Sequence, residues 1–77
     1  KSPVPRDRLA AALDALAKRW PEARSDRIDG LRLDWPDRWL HVRGSNTEPV
    51  VRAIAEAPTA DDAAELCRQA GAILASA

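Results

Sequence analysis

Seven consecutive residues, Arg43-Gly44-Ser45-Asn46-Thr47-Glu48-Pro49, bring together a guanidinium, two hydroxyls, a carboxamide and a run of backbone N–H groups. Such a donor cluster in a tight turn forms a nest for a tetrahedral anion. Arg43 can grip two oxygens of a phosphate at once, a charge-assisted contact worth roughly 1.5–3 kcal/mol. Gly44 lets backbone approach a ligand, Asn46 tolerates left-handed backbone, and Pro49 stiffens the exit. Composition by itself favours a plain solvated turn over a nest.

No other constellation competes. His41 shares a predicted face with Arg43 and reads as a surface or interdomain residue. Cys67 sits on a helical stripe without a paired His or second Cys, so it reads as a small buried apolar group. Asp26, Asp29, Asp34 and Asp37 are scattered over hairpins without ligand spacing and read as solvated turns. Trp20, Trp35 and Trp39 read as core or interdomain packing, with Trp39 the one placed to meet a neighbouring domain. No Ser/His/Asp or Cys/His set offers a hydrolase site.

The elements that position the loop are legible from periodicity. Lys1 to Pro5 reads as a linker, since two prolines within three residues favour extended backbone. A helix begins at Arg6, with Leu9, Leu13, Leu16, Ala17 and Trp20 on one stripe and Pro21 as its stop. Arg24 to Asp29 reads as a short polar strand, turning at Asp29-Gly30 through a two-residue type I′ loop. Leu31, Leu33 and Trp35 alternate with Arg32 and Asp34, marking a strand buried on one face. Trp39 to Arg43 forms the next strand, with Leu40 and Val42 on one face and Trp39, His41 and Arg43 on the other. In Val50 to Ala57, Val51, Ala53, Ala55 and Ala57 point inward, and Val50, Arg52, Ile54 and Glu56 outward. Thr59 caps the last helix by accepting from the Asp62 amide; Ala63, Leu66, Cys67, Ala70, Ile73 and Leu74 form its apolar stripe. The order helix, four strands, helix predicts an α+β domain over residues 6–77, a mostly antiparallel sheet with both helices on one face.

Composition sets the limits. At 77 residues the chain holds one small domain, with too little wall for a complete catalytic pocket. Twelve basic and twelve acidic side chains cancel, so no global field draws nucleic acid or anionic lipid. One cysteine excludes an internal disulfide, and no apolar run approaches a membrane span. A reducing cytoplasm is the default location.

The ordered string Arg43 to Pro49, followed by Val50-Val51-Arg52 and a strand ending in Glu56-Ala57, resembles the phosphate-binding motif of the α-D-phosphohexomutases. In that family, which includes phosphomannomutase/phosphoglucomutase and phosphoglucosamine mutase, the motif lies in the C-terminal, fourth domain. The resemblance spans at least Asp29 to Leu74, including the Asp29-Gly30 turn and the Thr59-Ala60-Asp61-Asp62 helix start. It implies a TBP-like fold and an enzyme that isomerises hexose 1-phosphates and 6-phosphates through a bisphosphorylated sugar. A phosphoserine on the first domain donates the phosphoryl group, Mg²⁺ sits on the second, and the third reads the sugar. The fourth domain holds the phosphate that is not reacting. Carried over, Arg43, Ser45, Asn46 and Thr47 are the phosphate ligands, while Gly44, Glu48 and Pro49 shape the loop. Arg52 is a further candidate for a nearby charge contact.

The resemblance further implies a phosphosugar substrate and three other domains as partners, with no metal held by this domain and no mutase activity in this chain alone. Gly44 stands where proline is common in relatives, implying a more mobile loop before ligand arrives. Asn46 in place of glycine leans toward the phosphomannomutase/phosphoglucomutase branch. The rival reading is an unrelated α+β module that binds protein or RNA.

Overall fold

The computed structural model describes residues 2–45 and 47–76. Behind Pro5, a 3₁₀ turn over Arg6–Arg8 leads into helix α1, Leu9–Arg19. The amide of Arg8 donates to the Pro5 carbonyl at 2.9 Å, so the first predicted helical turn is wound more tightly than the rest. Pro21 ends the helix as expected.

Four antiparallel strands follow the predicted order: β2 (Arg24–Asp26), β3 (Leu31–Trp35), β4 (Arg38–Gly44) and β5 (Val50–Glu56), before helix α2 (Ala60–Ala75). A fifth strand, β1 (Ser2–Pro3), lies within the stretch read as linker and pairs with β5 at the sheet edge. The extended backbone that proline imposes suits an edge strand as well as a linker. The Val4 amide donates to the Pro49 carbonyl at 2.8 Å, and the Val4 side chain is buried at 3% exposure. The strand order is β1-β5-β4-β3-β2, antiparallel throughout.

Register assigns the faces. Leu31 lies opposite Val42, Leu33 opposite Leu40, Leu40 opposite Ala55 and Val42 opposite Ala53. Directly paired residues point to the same side. That side meets Leu13 and Leu16 of α1 and Leu66, Ala70 and Leu74 of α2 in a single core. The helices touch one another; α1 lies over β3, and α2 over β1, β4 and β5. Trp20 closes one end of this core edge-on to Trp35, ring centroids 5.9 Å apart at 84°. The Trp35 indole donates to Glu22 at 2.9 Å, which holds that carboxyl below its ordinary range. Thr59 caps α2 as its sequence predicts, accepting from the Asp62 amide at 3.0 Å.

The β2–β3 turn departs from expectation. Strand β2 stops at Asp26, and residues 27–30 make a four-residue connection rather than a two-residue type I′ loop. The Asp26 carboxylate accepts from the Ile28 amide at 2.8 Å, an Asx turn that ends the strand early. Gly30 alone takes positive φ, at 71°, and Asp29 stays in ordinary backbone space. Gly30 is indispensable for a second reason: a Cβ there would sit 2.3 Å from the Val42 carbonyl oxygen. The turn is thus pressed onto β4 next to Arg43.

Candidate anion-binding site

The second face of the sheet is uncovered by either helix. It carries Arg32, Asp34, Trp39, His41, Arg43, Arg52, Ile54 and Glu56, as the alternation predicts. Towards the β2–β3 hairpin its charges are internally matched. Arg32 holds Asp34 through both Nε and a terminal nitrogen at 3.0–3.2 Å and lies over the Trp39 ring at 4.7 Å. This pairing keeps the Asp34 carboxyl below its usual range, and Arg38 does the same for Asp37. Among the described residues no three His, Cys, Asp or Glu side chains gather to hold a metal ion.

At the β4–β5 end the matching breaks down. Arg43 and Arg52 stand directly opposite each other in the ladder. Like charges in that relation destabilise a sheet by roughly 0.2–1 kcal/mol. The Arg43 side chain is 57% exposed and its one ion pair among the described residues runs from Nε to Asp29 Oδ1 at 3.5 Å. Arg52 makes no ion pair among them. His41, Arg43, Gly44, Ser45, Arg52 and Ile54 line an open cleft of about 340 Å³ on this face. Among the described residues its walls hold two guanidinium groups and no carboxylate.

The loop beyond Gly44 adds hydroxyls. Its base is closed by the Ser45 amide donating to the Val50 carbonyl at 2.9 Å. Ser45 Oγ accepts from the Thr47 amide at 3.3 Å and lies 3.4 Å from Thr47 Oγ1. Two hydroxyls are thereby paired at the strand end that carries Arg43. Asn46 lies outside the described residues. Glu48 and Pro49 are exposed, and Pro49 ties the loop to the chain entering at Val4. Gly44 pairs with Val51 on the helix side, where a Cβ would come 3.0 Å from a Leu9 methyl. Its missing side chain therefore makes room for α1, an explanation the loop sequence alone did not offer.

Sequence reasoning passed over Asp29 as a solvated turn residue. Its carboxylate pairs with Arg43, and its carbonyl accepts from His41 Nε2 at 2.8 Å. The signal for it lay in register and turn placement, 14 positions from Arg43, with no periodicity to expose it.

The fold and the site together define an antiparallel α+β domain with a cationic, hydroxyl-lined strand end. Residues 1–72 match the model of the phosphoglucomutase/phosphomannomutase C-terminal domain, and the chain belongs to that family. A probable phosphoglucosamine mutase of Thermococcus gammatolerans is 36% identical over 74 residues, covering 91% of this chain and 16% of that protein. The corresponding protein of Pyrococcus abyssi is 38% identical over the same length. A phosphomannomutase/phosphoglucomutase of Pseudomonas aeruginosa is 38% identical over 61 residues, covering 77% of this chain and 13% of its own. The chain thus spans about 16% of the length of the curated relatives it matches first. The family assignment disfavours the unrelated binding module. Among the described residues no helix is long and apolar enough to cross a membrane.

Proposed function

We propose that this chain is the phosphate-holding domain of a phosphohexomutase acting on mannose, glucose or glucosamine phosphates in the cytoplasm. It grips the phosphate that is not being transferred and closes the site over the sugar. The observation that carries this reading is the opposition of Arg43 and Arg52 beside the paired hydroxyls of Ser45 and Thr47. A dianion seated there converts a repulsive cross-strand pair into an attractive one.

Arg43 supplies the bidentate contact, Ser45 and Thr47 donate hydroxyl protons, and Asn46 follows from its place in the same motif. Arg52 adds the second positive charge. Gly44, Glu48 and Pro49 shape the loop. The reacting groups and Mg²⁺, which would stabilise the charge on the transferred phosphoryl, belong to the other domains of the protein. Phosphoryl transfer is accelerated largely by positioning and charge stabilisation, so binding energy from the remote phosphate serves the reacting end. Either phosphate of the sugar must be able to occupy the grip, so it reads tetrahedral shape and charge rather than the sugar ring. The isolated chain catalyses no isomerisation.

Ligand-observed ³¹P relaxation tests the selectivity. Glucose 1-phosphate, glucose 6-phosphate and inorganic phosphate are expected to compete for one site, with dissociation constants on the order of millimolar and within about threefold of each other. Unphosphorylated glucose is expected to displace none of them. Displacement by glucose, or separate sites for the two esters, contradicts the role.

A further inference from the structure

Arg43 separates two recesses of different character. Among the described residues the open-face cleft is lined by Arg52, His41 and Ser45 and by no acid. The recess on its other side, about 310 Å³, is lined by Arg6, Leu9, Asp29, Gly30, Arg43, Gly44 and Ser45. Asp29 reaches Arg43 from that second side, and it does so through Nε. A carboxylate facing a guanidinium at Nε leaves the edge formed by its two terminal nitrogens open to a bidentate acceptor.

Asp29 is itself held in place. His41 Nε2, as donor, meets the Asp29 carbonyl at 2.8 Å, and the next residue, Gly30, leaves no room for a Cβ against the Val42 carbonyl. The turn is therefore anchored to the strand that carries Arg43, at His41 and Val42. A carboxylate carried on an anchored backbone can bias a long, rotamer-rich side chain before any ligand arrives.

We infer that Asp29 is a positioning residue for the anion site, orienting the Arg43 guanidinium so that its terminal nitrogens are ready for phosphate. The inference rests on the proposed phosphate-holding role and extends it to a residue outside the loop. The opposing possibility is that Asp29 competes with phosphate for the charge of Arg43. Substitution separates the two, because a positioning acceptor helps binding and a competitor hinders it.

The test compares Asp29→Ala and Asp29→Asn with the unaltered 77-residue chain, titrating inorganic phosphate and following amide and Arg43 Nε–Hε signals by NMR. Asn keeps an oxygen of the same reach facing Nε, without the charge. Asp29→Ala is expected to weaken phosphate binding about fivefold, as freeing one long side chain does, while Asp29→Asn stays within about twofold of the parent. The Arg43 Nε–Hε signal moves toward that of a free arginine in the Ala variant only. The Asp29 side chain is 61% exposed, so both variants retain the fold, which the thermal midpoint checks. Unchanged or tighter binding by Asp29→Ala, or equal weakening in both variants, overturns the inference. If Asp29→Ala binds normally while Arg43→Ala does not bind, only the positioning role is lost. If the unaltered chain does not bind phosphate, the phosphate-holding role falls with it.

Discussion

Replacing Arg43 with alanine in the full-length protein that carries this domain is expected to lower kcat/KM about 100-fold, or roughly 2.7 kcal/mol of transition-state stabilisation. The size follows from losing both hydrogen bonds of a bidentate, charge-assisted contact. Stability should change little, by about 0.5 kcal/mol or less, because the side chain is 57% exposed and its ion pair with Asp29 is a surface one. Removing one of two opposed arginines also relieves repulsion across the β4–β5 ladder. Arg43→Lys keeps the charge but loses the planar fork, so it should recover only part of the activity. Steady-state kinetics beside thermal melts check both halves. Parent-like kinetics for Arg43→Ala would remove this residue from the site.

Gly30→Ala should be the most damaging single substitution for the fold. Two costs coincide there. The backbone has φ of 71°, which an alanine adopts at about 1 kcal/mol. The added Cβ would fall 2.3 Å from the Val42 carbonyl oxygen, a backbone atom that can move only by shifting the sheet. Together these should cost about 3 kcal/mol or more, a large share of the roughly 4–12 kcal/mol expected for a domain of this size. The thermal midpoint is expected to fall by about 15 °C or more. Phosphate binding should weaken as well, since the displaced turn carries Asp29 away from Arg43. A midpoint within about 3 °C of the parent would show that the turn is not pressed onto β4 as described.

The strands around the site were readable because their alternation is strict. Leu31 and Leu33, and Leu40 and Val42, leave one choice of buried face, and Arg43 follows by parity. The polar strand before the turn has no such alternation, so its end was misplaced: the Asp26 side chain competes for the backbone and stops it at Asp26. Gly30 was correctly seen as the left-handed position, while Asp29 was wrongly given the same backbone. The pairing of Ser2–Pro3 with β5 is a contact across 47 residues or more, invisible to local pattern. The Arg43–Asp29 pair and the Arg43–Arg52 opposition both come from register and turn placement, so the loop motif named candidate ligands without the pairing of the charges around them. Asn46 was named on the motif alone and lies outside the described residues.

The most direct measurement is an amide map of the chain titrated with inorganic phosphate. The phosphate-holding role predicts saturable shifts at Gly44, Ser45, Thr47 and Arg52, together with the Arg43 Nε–Hε signal. Residues at the opposite end of the sheet, such as Asp37, should stay still. Silence at Ser45 and Thr47 while other regions respond would contradict it.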